Sequence, residues 1–364
     1  MENNKEHFWS IQESWNSSLV MNRRDGRIKP RDYLYASEIG RNMLDVYWAM
    51  SGIEPTNLAS DVARRKMEAG NFYEAVVVWV MRRTGILKDT QTRVKLLDQP
   101  DMLNVSGKLD FIAGHDGNWK KTIDEVESYF KILEDMNFDF PYFDSVKKIS
   151  RETMKVLSEK YPNGLEDKIY EVKSINSMAF WRGGHPIEEP YFHHVRQLTF
   201  YQNYSPIKIG SFIYIDRDTM SISEIPNYIK DDVINDMHNW IKKMTYYYRN
   251  NIEPPRPEII LFDEKEQKYQ FNWEIDRSQY RDKILGDTDV EKVLEEIKAK
   301  NKQLRLNRTI EDSFKEETIR GTKKYKIAIG LLRAREDDEV VMKKSKCTQE
   351  DVDLLKARIE KDIL

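Results

Sequence analysis

The sequence predicts an α/β protein built around a small mixed sheet, and three observations support this class. Apolar residues recur at helical spacing in several segments, including 37–52 and 59–85. Segments rich in β-branched and aromatic residues, such as 92–114 and 209–217, alternate with them and are typical of strands. With 364 residues, of which 40% are hydrophobic, the chain is long enough to bury a substantial core.

The first half of the chain begins with two helices. Ser37 is placed to cap the helix at 37–52. The second helix contains an almost wholly apolar part, Ala75 to Met81, which we expect to be buried. Two short strands around a turn follow in 92–114, and the second strand ends near residues 110–113.

Residues 115–168 differ in composition from the segments around them. They are rich in acidic and aromatic residues and show helical spacing, so we predict a helical insertion between two paired strands. The elements expected after it are a strand at 167–175, a helix at about 190–204, a strand at 209–217 and a helix at about 226–249. A proline-rich break follows, and from residue 286 the chain is highly charged and helix-prone. The sequence thus divides into a main domain, 1–285, and a charged, mainly helical accessory region, 286–364.

The overall charge does not indicate a partner. Charged residues make up 33% of the chain but the net charge is only -3, so a nucleic-acid site would have to be a local basic groove. The single cysteine, Cys347, excludes an internal disulfide and a cysteine-rich metal site. The polar N-terminus does not resemble a signal peptide, and no apolar run approaches the roughly 18–20 residues that span a bilayer. We therefore expect no membrane partner and a cytoplasmic protein.

One predicted strand, "DKIYEVKSI" at 167–175, carries a charged pair. Because side chains alternate along a strand, Glu171 and Lys173 point to one face, and Tyr170 and Val172 point to the other. Alternating charge by itself is the commonest pattern of a half-buried surface strand. A functional interpretation therefore needs further groups beside this pair.

Suitable groups are present if the chemistry is phosphodiester hydrolysis. Divalent metals activate water and neutralise charge at phosphorus, and Mg²⁺ prefers carboxylate oxygens that converge from different elements. Asp110 lies at the end of a strand in "SGKLDFI", and Glu74 lies on a helix after Gly70 in "GNFYE". A lysine beside such carboxylates can orient the water or stabilise the transition state.

A later predicted helix adds polar side chains on one face. Gln197 and Tyr201 are four residues apart in "HHVRQLTFYQNY", and His194 precedes Gln197 by three residues, so all three share that face. Taken alone, each of them could simply pack on the flank of a helix. They become candidate site residues because they follow Glu74, Asp110, Glu171 and Lys173 in the order of the four motifs described next.

Four short motifs occur in order along the chain: "GNFYE", "GKLDFI", "YEVKS" and "QLTFY". They resemble the successive motifs of the PD-(D/E)xK nucleases, specifically the RecB-type exonuclease branch. The resemblance implies a restriction-endonuclease-like core, with a small mixed sheet flanked by helices. It also implies that Glu74, Asp110 and Glu171 are metal ligands, together with the backbone carbonyl of Val172. Lys173 would be the catalytic lysine, acting with Asp110 and Glu171.

The resemblance covers roughly residues 35–285 and extends to cofactors and partners. It implies two Mg²⁺ or Mn²⁺ ions at the site. The long separation between Asp110 and Glu171 departs from the short hairpin usual in the family and reflects the insertion. The resemblance implies that Gln197 and Tyr201 organise the site and contact DNA. Arg182 and Arg196 are further expected DNA contacts because they flank the predicted catalytic strand and helix, and His194 is an auxiliary candidate.

A second resemblance includes a loss. Many RecB-type exonucleases, including those of CRISPR adaptation, hold their domain together with four cysteines around an iron–sulfur cluster. The segments "SEIGRNMLDVYW" and "NWEIDRSQYRDKI" resemble the two cluster-binding elements, but Asn42, Ile275, Ser278 and Ile284 stand at the cysteine positions. We therefore expect no iron–sulfur cluster, and chain ends that are held by ordinary packing.

Together these residues predict a metal-dependent deoxyribonuclease. The resemblance implies exonuclease action on DNA ends in recombination, repair or phage-type DNA processing, inside a bacterial, archaeal or phage-infected cell. Two alternatives stay open: a DNA-binding recombination or CRISPR-adaptation accessory with a vestigial site, and a restriction-type endonuclease. No GxxxxGK[ST] phosphate loop occurs in the sequence, so a helicase would be a separate chain. The expected partners are double- or single-stranded DNA ends, a second copy of the chain, or a separate helicase or recombination protein.

Overall fold

The computed structural model describes residues 29–136, 142–264, 266–319, 323–334 and 336–359. It is a mixed α/β structure, as the sequence predicts, and it divides into two compact units. The larger unit contains residues 29–257 and 277–286, and the smaller unit contains residues 258–276 and 287–359. One boundary between the units follows residue 286, and residues 258–276, which the sequence analysis places in the main domain, belong to the smaller unit.

The described strands are, in chain order, β1 (Tyr33–Tyr35), β2 (Leu87–Thr90), β3 (Arg93–Leu96), β4 (Asn104–Lys108), β5 (Phe111–His115), β6 (Leu165–Ile175), β7 (Trp181–Arg182), β8 (His185–Pro186), β9 (Gly210–Asp216), β10 (Ile222–Asn227), β11 (Ile260–Asp263) and β12 (Lys268–Phe271). The described α-helices are α1 (Met43–Met50), α2 (Asp61–Arg83), α3 (Trp119–Asp135), α4 (Phe143–Lys160), α5 (Ser177–Phe180), α6 (Phe192–Tyr204), α7 (Asp231–Arg249), α8 (Trp273–Asp276), α9 (Arg281–Leu285), α10 (Val290–Ile319), α11 (Lys323–Arg333), α12 (Asp338–Ser345) and α13 (Gln349–Ile359). Within the described residues, no helix has the length and apolar character needed to span a membrane.

A five-stranded mixed sheet with the order β10-β9-β6-β5-β2 forms the centre of the larger unit. β6 pairs in parallel with β9, in a register that sets Lys173 beside Tyr214. β5 pairs antiparallel with β6 only as far as Phe111, which lies opposite Tyr170. The last part of β6 therefore extends beyond β5 while it keeps its pairing with β9.

The strands β2 to β5 form two antiparallel pairs that bend from one sheet into another. β2 pairs with β5 in the five-stranded sheet, whereas β3 pairs with β4 in a three-stranded sheet of order β1-β4-β3. Backbone hydrogen bonds from Gln91 to Asp110 (3.0 Å) and from Leu109 to Thr92 (3.0 Å) continue the pairing across the bend. The segment 92–114, predicted to hold two strands, therefore holds three, and Asp110 lies at the corner between two of them.

α2 covers one face of the five-stranded sheet. Val77 of this helix packs in a hydrophobic cluster with residues of three strands, which are Phe111, Ala113, Val172, Ile213 and Ile215. The sequence predicts burial throughout Ala75–Met81, and that prediction is wrong: Ala75 is exposed, and Val77 is the one residue of this part that is fully buried. A helix lying on a sheet shields only the stripe of side chains that faces the sheet.

The start of α1 also differs from the prediction. Asn42 rather than Ser37 caps this helix, because the Asn42 Oδ1 accepts a hydrogen bond from the Leu44 N–H at 3.0 Å. Ser37 instead lies in a 3₁₀ turn at Ala36–Glu38, which follows β1.

Residues 277–286 return to α1 and close the larger unit. The rings of Trp48 and Tyr280 meet edge to face with centroids 5.3 Å apart, and the Tyr280 hydroxyl donates to the Ile53 carbonyl at 2.9 Å. Of the positions that resemble cluster cysteines, Asn42 donates to Asp45 at 3.5 Å, and Ser278 accepts a hydrogen bond from the Tyr280 N–H at 2.9 Å. Ordinary packing and hydrogen bonds thus join the two segments. Of the other two cysteine-like positions, Ile284 is buried in the larger unit and Ile275 is buried in α8 of the smaller unit.

The predicted insertion is a helical hairpin formed by α3 and α4. Val126, Phe130 and Met154 form its small core. Because β5 ends at His115 and β6 begins at Leu165, the hairpin occupies the chain between these residues, and β6 starts slightly before the predicted boundary.

The smaller unit combines the β11–β12 hairpin with the helices α10 to α13. The Asn301 side chain of α10 hydrogen-bonds to both the N–H and the carbonyl of Tyr269 in β12, each at 2.7 Å, as a neighbouring strand would. This contact explains why residues 258–276 belong with the C-terminal helices. Cys347 is buried among Val341, Val352 and Leu355, where it serves as a small apolar side chain.

Two glycines of the sequence motifs should respond oppositely to alanine. A Cβ added at Gly70 would lie 3.6 Å from the Ser174 Oγ, which is an ordinary contact, whereas one added at Gly107 would lie 2.6 Å from the Ala36 Cβ and 2.7 Å from the Tyr201 Cε1. We expect Gly70→Ala to raise the free energy of unfolding by up to about 1 kcal/mol, because alanine favours a helix interior. We expect Gly107→Ala to lower it by roughly 1–3 kcal/mol through overpacking.

Urea unfolding of both variants beside the wild type measures these changes. Each variant is the control for the other, since the chemical change is the same. A Gly107→Ala variant as stable as the wild type would contradict the packing of Tyr201 against this strand.

Candidate active site

Glu171 and Lys173 lie on the face of β6 that α6 covers. The predicted alternation is confirmed, because Tyr170 and Val172 belong to the hydrophobic cluster on the opposite face. The Glu171 side chain is 1% exposed and that of Lys173 is 23% exposed. The strand thus presents a buried carboxylate next to a partly accessible ammonium group.

Asp110 directly precedes Phe111 of β5, and its side chain lies beside β6 where the pairing of the two strands ends. Its Oδ2 accepts a hydrogen bond from the Val172 N–H at 2.6 Å, in place of the bond that a neighbouring strand would make. The backbones of Ile169 and Ile175 bond toward β9, so by alternation the N–H and carbonyl of Val172 face the Asp110 side. The carbonyl that the sequence resemblance implies as a ligand therefore leaves the strand on the same side as Asp110.

A hydrogen-bond network holds one oxygen of Glu171. Lys173 and Gln197 both donate to the Glu171 Oε1, Gln197 at 2.8 Å. Gln197 also donates to the Tyr201 hydroxyl at 3.2 Å, and that hydroxyl donates to the Lys108 carbonyl at 2.9 Å. α6 therefore connects Glu171 to the end of β4.

The other oxygen of Glu171, Oε2, is buried and has no hydrogen-bond partner among the described residues. A buried polar atom without a partner costs about 1–3 kcal/mol, and more if it is charged. Such an atom in a native structure calls for an explanation, and a role as a ligand of a bound cation would provide one.

Gln197 and Tyr201 are both buried, at 9% and 1% exposure. The hydrogen bonds described for them run to Glu171, Lys173, Lys108 and each other. Their position corresponds to the predicted role in organising the site. It differs from the predicted contact with DNA, because neither side chain presents an exposed surface to a ligand.

Burial and mutual repulsion disfavour ionisation of the carboxyl groups. Burial, and then the charge of Glu171, raise the pKa of Asp110 well above its usual range. Burial also raises the pKa of Glu171, against the opposing effect of Lys173. Burial would lower the pKa of Lys173, but the charges of Glu171 and Asp110 outweigh it and raise that pKa. One ammonium therefore faces an excess of negative charge, which a divalent cation would relieve.

Glu74 adds a third carboxylate to this group. Its charge contributes to the raised pKa values of Asp110 and Glu171, but its carboxylate accepts a hydrogen bond from Gln91 at 2.7 Å. Among the residues that the structure describes, no three His, Cys, Asp or Glu side chains converge closely enough to hold a metal ion. The predicted ligands thus lie near one another without forming a coordination shell.

His194 lies beside the site on α6. Its Nδ1 is 2.7 Å from the hydroxyl of Tyr214, the residue that pairs with Lys173 across the strands. Burial and the charge of Lys173 strongly lower the pKa of His194, so the imidazole is neutral at physiological pH. Its geometry suits orientation of Tyr214 rather than proton transfer.

The two arginines predicted to contact DNA have different surroundings. The Arg196 Nε donates to Asp236 at 2.7 Å, and its Nη1 donates to the Gly40 carbonyl at 3.2 Å. These contacts leave its side chain 14% exposed, which does not favour the predicted DNA contact. Arg182 lies on the exposed strand β7, with its guanidinium carbon 5.0 Å from the centre of the Tyr191 ring.

Arg41 is a basic residue whose charge acts on the candidate site, and the sequence patterns did not single it out. It is exposed, and its charge acts on Lys173 and on the neighbouring histidines. Burial together with Arg41 and Lys173 lowers the pKa of His193 to about 4. The signal in the sequence was a basic residue directly after a glycine. In the structure Gly40 has a φ of +83°, and its carbonyl accepts a hydrogen bond from Arg196 of α6.

Removal of one carboxylate should stabilise the metal-free protein. The pKa of Asp110 is raised on folding, so folding favours the protonated form, and stability is lost as the pH rises through the folded-state pKa. Asp110→Asn removes the charge and keeps an oxygen that can accept from the Val172 N–H. We expect a gain of about 1 kcal/mol in EDTA at neutral to mildly alkaline pH, shrinking as the pH falls.

Thermal unfolding over a range of pH measures this effect. Asp101→Asn is the control, because a hydrogen bond with Lys242 lowers the pKa of Asp101 and its removal should bring no gain. A gain for Asp110→Asn that does not change with pH would contradict the electrostatic explanation.

The chain matches no protein-family model and no curated protein. Among solved structures, it is similar to the one described as the crystal structure of SSO0001, with 13% sequence identity and a TM-score of 0.42. That similarity covers 77% of this chain and 97% of the other.

Proposed function

We propose that this chain is a metal-dependent deoxyribonuclease with a restriction-endonuclease-like core of the PD-(D/E)xK, RecB type, and that it hydrolyses phosphodiesters at DNA ends. The observation that carries the proposal is the buried arrangement at the end of β5. There Asp110 bonds to the backbone of Val172, and Glu171 and Lys173 lie on one covered face. A strand that only kept the surface soluble would leave this pair in water, whereas Glu171 is 1% exposed. Groups with strongly shifted pKa values in such a cluster are functional-site candidates.

The donor atoms suit Mg²⁺ or Mn²⁺, which prefer hard oxygen ligands. Asp110, Glu171 and the Val172 carbonyl supply such oxygens, and the Glu171 Oε2 is buried without a described partner. Glu74 would complete the set once its carboxylate leaves Gln91. Two bound ions would activate a water and neutralise charge at the scissile phosphate.

The remaining side chains support this chemistry by position and charge. Lys173 keeps its proton and is partly accessible, so its ammonium can orient a water or stabilise charge on the phosphate. Gln197 and Tyr201 keep Glu171 in place through their hydrogen bonds. His194 stays neutral and orients Tyr214.

The mode of action follows from the sequence resemblance, which favours an exonuclease in recombination, repair or phage-type DNA processing. Such an enzyme acts inside a cell on double- or single-stranded ends. The sequence has no motor motif, so strand separation would come from a separate helicase or recombination partner.

A DNA-binding accessory with a vestigial centre is the second candidate. The observation that favours it is the lack of convergence of three ligand side chains among the described residues. The hydrogen bond from Gln91 to Glu74 contributes to that arrangement. The two candidates share DNA as the ligand and differ in whether the centre cuts it.

The decisive assay incubates end-labelled linear DNA and closed circular DNA with the protein in Mg²⁺, Mn²⁺ or EDTA. We expect metal-dependent loss of the linear DNA while the circle is spared. Lys173→Ala should slow the reaction about a hundredfold or more, the usual effect of removing one group that stabilises the transition state. Lys243→Ala, at an exposed lysine of α7, is the matched control and should retain full activity.

Each result separates the candidates. Cutting of the circle would indicate the restriction-type endonuclease. A wild type that binds DNA but leaves it intact in every metal would establish the vestigial accessory. A protein that neither binds nor cuts DNA would overturn both candidates.

A further inference from the structure

A short hairpin of the larger unit follows β6, the strand that carries Glu171 and Lys173, and the short helix α5 lies between them. The hairpin consists of β7 and β8 and is joined by Gly183 and Gly184, whose φ angles of 60° and 85° are those of a type I′ turn. A Cβ added to either glycine would meet no atom within 4 Å. We call residues 181–186 the glycine-tip hairpin, and all six of them are exposed.

The base of the glycine-tip hairpin is firmly anchored. Phe180 before it and Ile187 after it are both buried, at 0% and 1% exposure. The carboxylate of Asp216, which is fully buried, accepts hydrogen bonds from the Ser177 hydroxyl at 2.7 Å and from the Trp181 Nε1 at 2.9 Å. The hairpin is thus a rigidly held projection with an open tip.

Trp181 offers a prepared surface for stacking. Its indole nitrogen is tied to Asp216 and its ring meets Phe180 edge to face at 5.2 Å, yet 38% of the residue is exposed. An aromatic ring that is already held in place loses little conformational entropy when a ligand stacks on it. Exposed aromatic rings next to basic residues are how proteins bind single-stranded nucleic acid without sequence preference.

Arg182 places the hairpin on the side of the candidate active site. Its guanidinium lies over the Tyr191 ring, and the Tyr191 N–H donates to the Tyr214 hydroxyl at 3.1 Å. Tyr214 is the strand partner of Lys173. A chain of direct contacts therefore leads from the hairpin to the catalytic face of β6.

We propose that the glycine-tip hairpin binds a single-stranded segment of nucleic acid next to the scissile phosphate, with Trp181 stacking on a base and Arg182 contacting a backbone phosphate. This inference specifies the substrate of the proposed nuclease, and it rests on that proposed function because the cleaved bond is placed at the candidate active site. It gives the substrate class as a single strand or an unpaired end rather than an uninterrupted duplex, because a base must be unstacked to reach the indole.

The test measures binding rather than cleavage. Lys173→Ala protein in EDTA is titrated against fluorescein-labelled oligo(dT), with a blunt duplex of equal length as the comparison. We expect Trp181→Ala in this background to weaken oligo(dT) binding about tenfold, and Trp181→Phe, which keeps an aromatic ring, to remain within about threefold. Arg182→Ala should reduce the slope of log affinity against log salt by about 0.7, the value for one phosphate contact on a single strand.

Two variants control for general effects. Tyr246→Ala removes an aromatic residue of α7 that is 58% exposed, and Arg82→Ala removes an exposed arginine at the end of α2. Both should bind oligo(dT) like the parent protein. Thermal unfolding of every variant identifies any loss of binding that comes from a disturbed fold. Trp181→Phe keeps an aromatic ring but cannot donate to Asp216, so retained binding in this variant would show that stacking and not that hydrogen bond is required.

The outcomes distinguish this inference from the proposed function. If the wild type cleaves DNA but Trp181→Ala and Arg182→Ala bind oligo(dT) like the parent, the hairpin does not bind nucleic acid and the hairpin inference is wrong. If the wild type is inert in every metal but the two variants weaken binding as expected, the hairpin inference stands and the nuclease proposal fails. The assignment of a single-stranded substrate would be overturned if Trp181→Ala did not weaken oligo(dT) binding and the protein bound the duplex as tightly as oligo(dT) or more tightly.

Discussion

The candidate site depends on the point at which β5 stops pairing with β6. The pairing ends at Phe111 and Tyr170, so no β5 carbonyl is available to the Val172 N–H. The carboxylate of Asp110 accepts that hydrogen bond instead. Asp110 can do so because the chain bends there between two sheets. If the pairing ran one residue further, Asp110 would join the ladder and its side chain would turn to a sheet face. The position of this bend therefore brings the carboxylates together.

The second constraint is that a buried carboxylate needs hydrogen-bond donors, and the residues packed around Glu171 supply them. Lys173 and Gln197 donate to one oxygen of Glu171, and Tyr201 fastens Gln197 to the end of β4. Tyr201 fits there because Gly107 has no side chain to obstruct its ring. Motifs that are far apart in the sequence thus form one packed unit, in which the glycine of one accommodates the tyrosine of another.

Local periodicity predicted much of this structure. The α/β class, the helical insertion and the alternation along β6 all follow from spacing, because strands and helices place side chains with fixed periods. Other features depend on distant contacts. The bend that adds a strand within 92–114 needs β2 and β3 as partners, and residues 258–276 join the smaller unit through Asn301. Ala75 is exposed because the sheet covers only one stripe of α2.

The sequence by itself determined which residue types are available to the site and which of them share a face, since both follow from chemistry and local repeat. Tertiary structure decided which of them a ligand could reach. It holds Arg196 against Asp236 and buries Gln197, while it leaves Arg182 exposed on a hairpin. Accessibility and the distances between charges depend on how elements far apart in the chain pack together, and no local pattern encodes that packing.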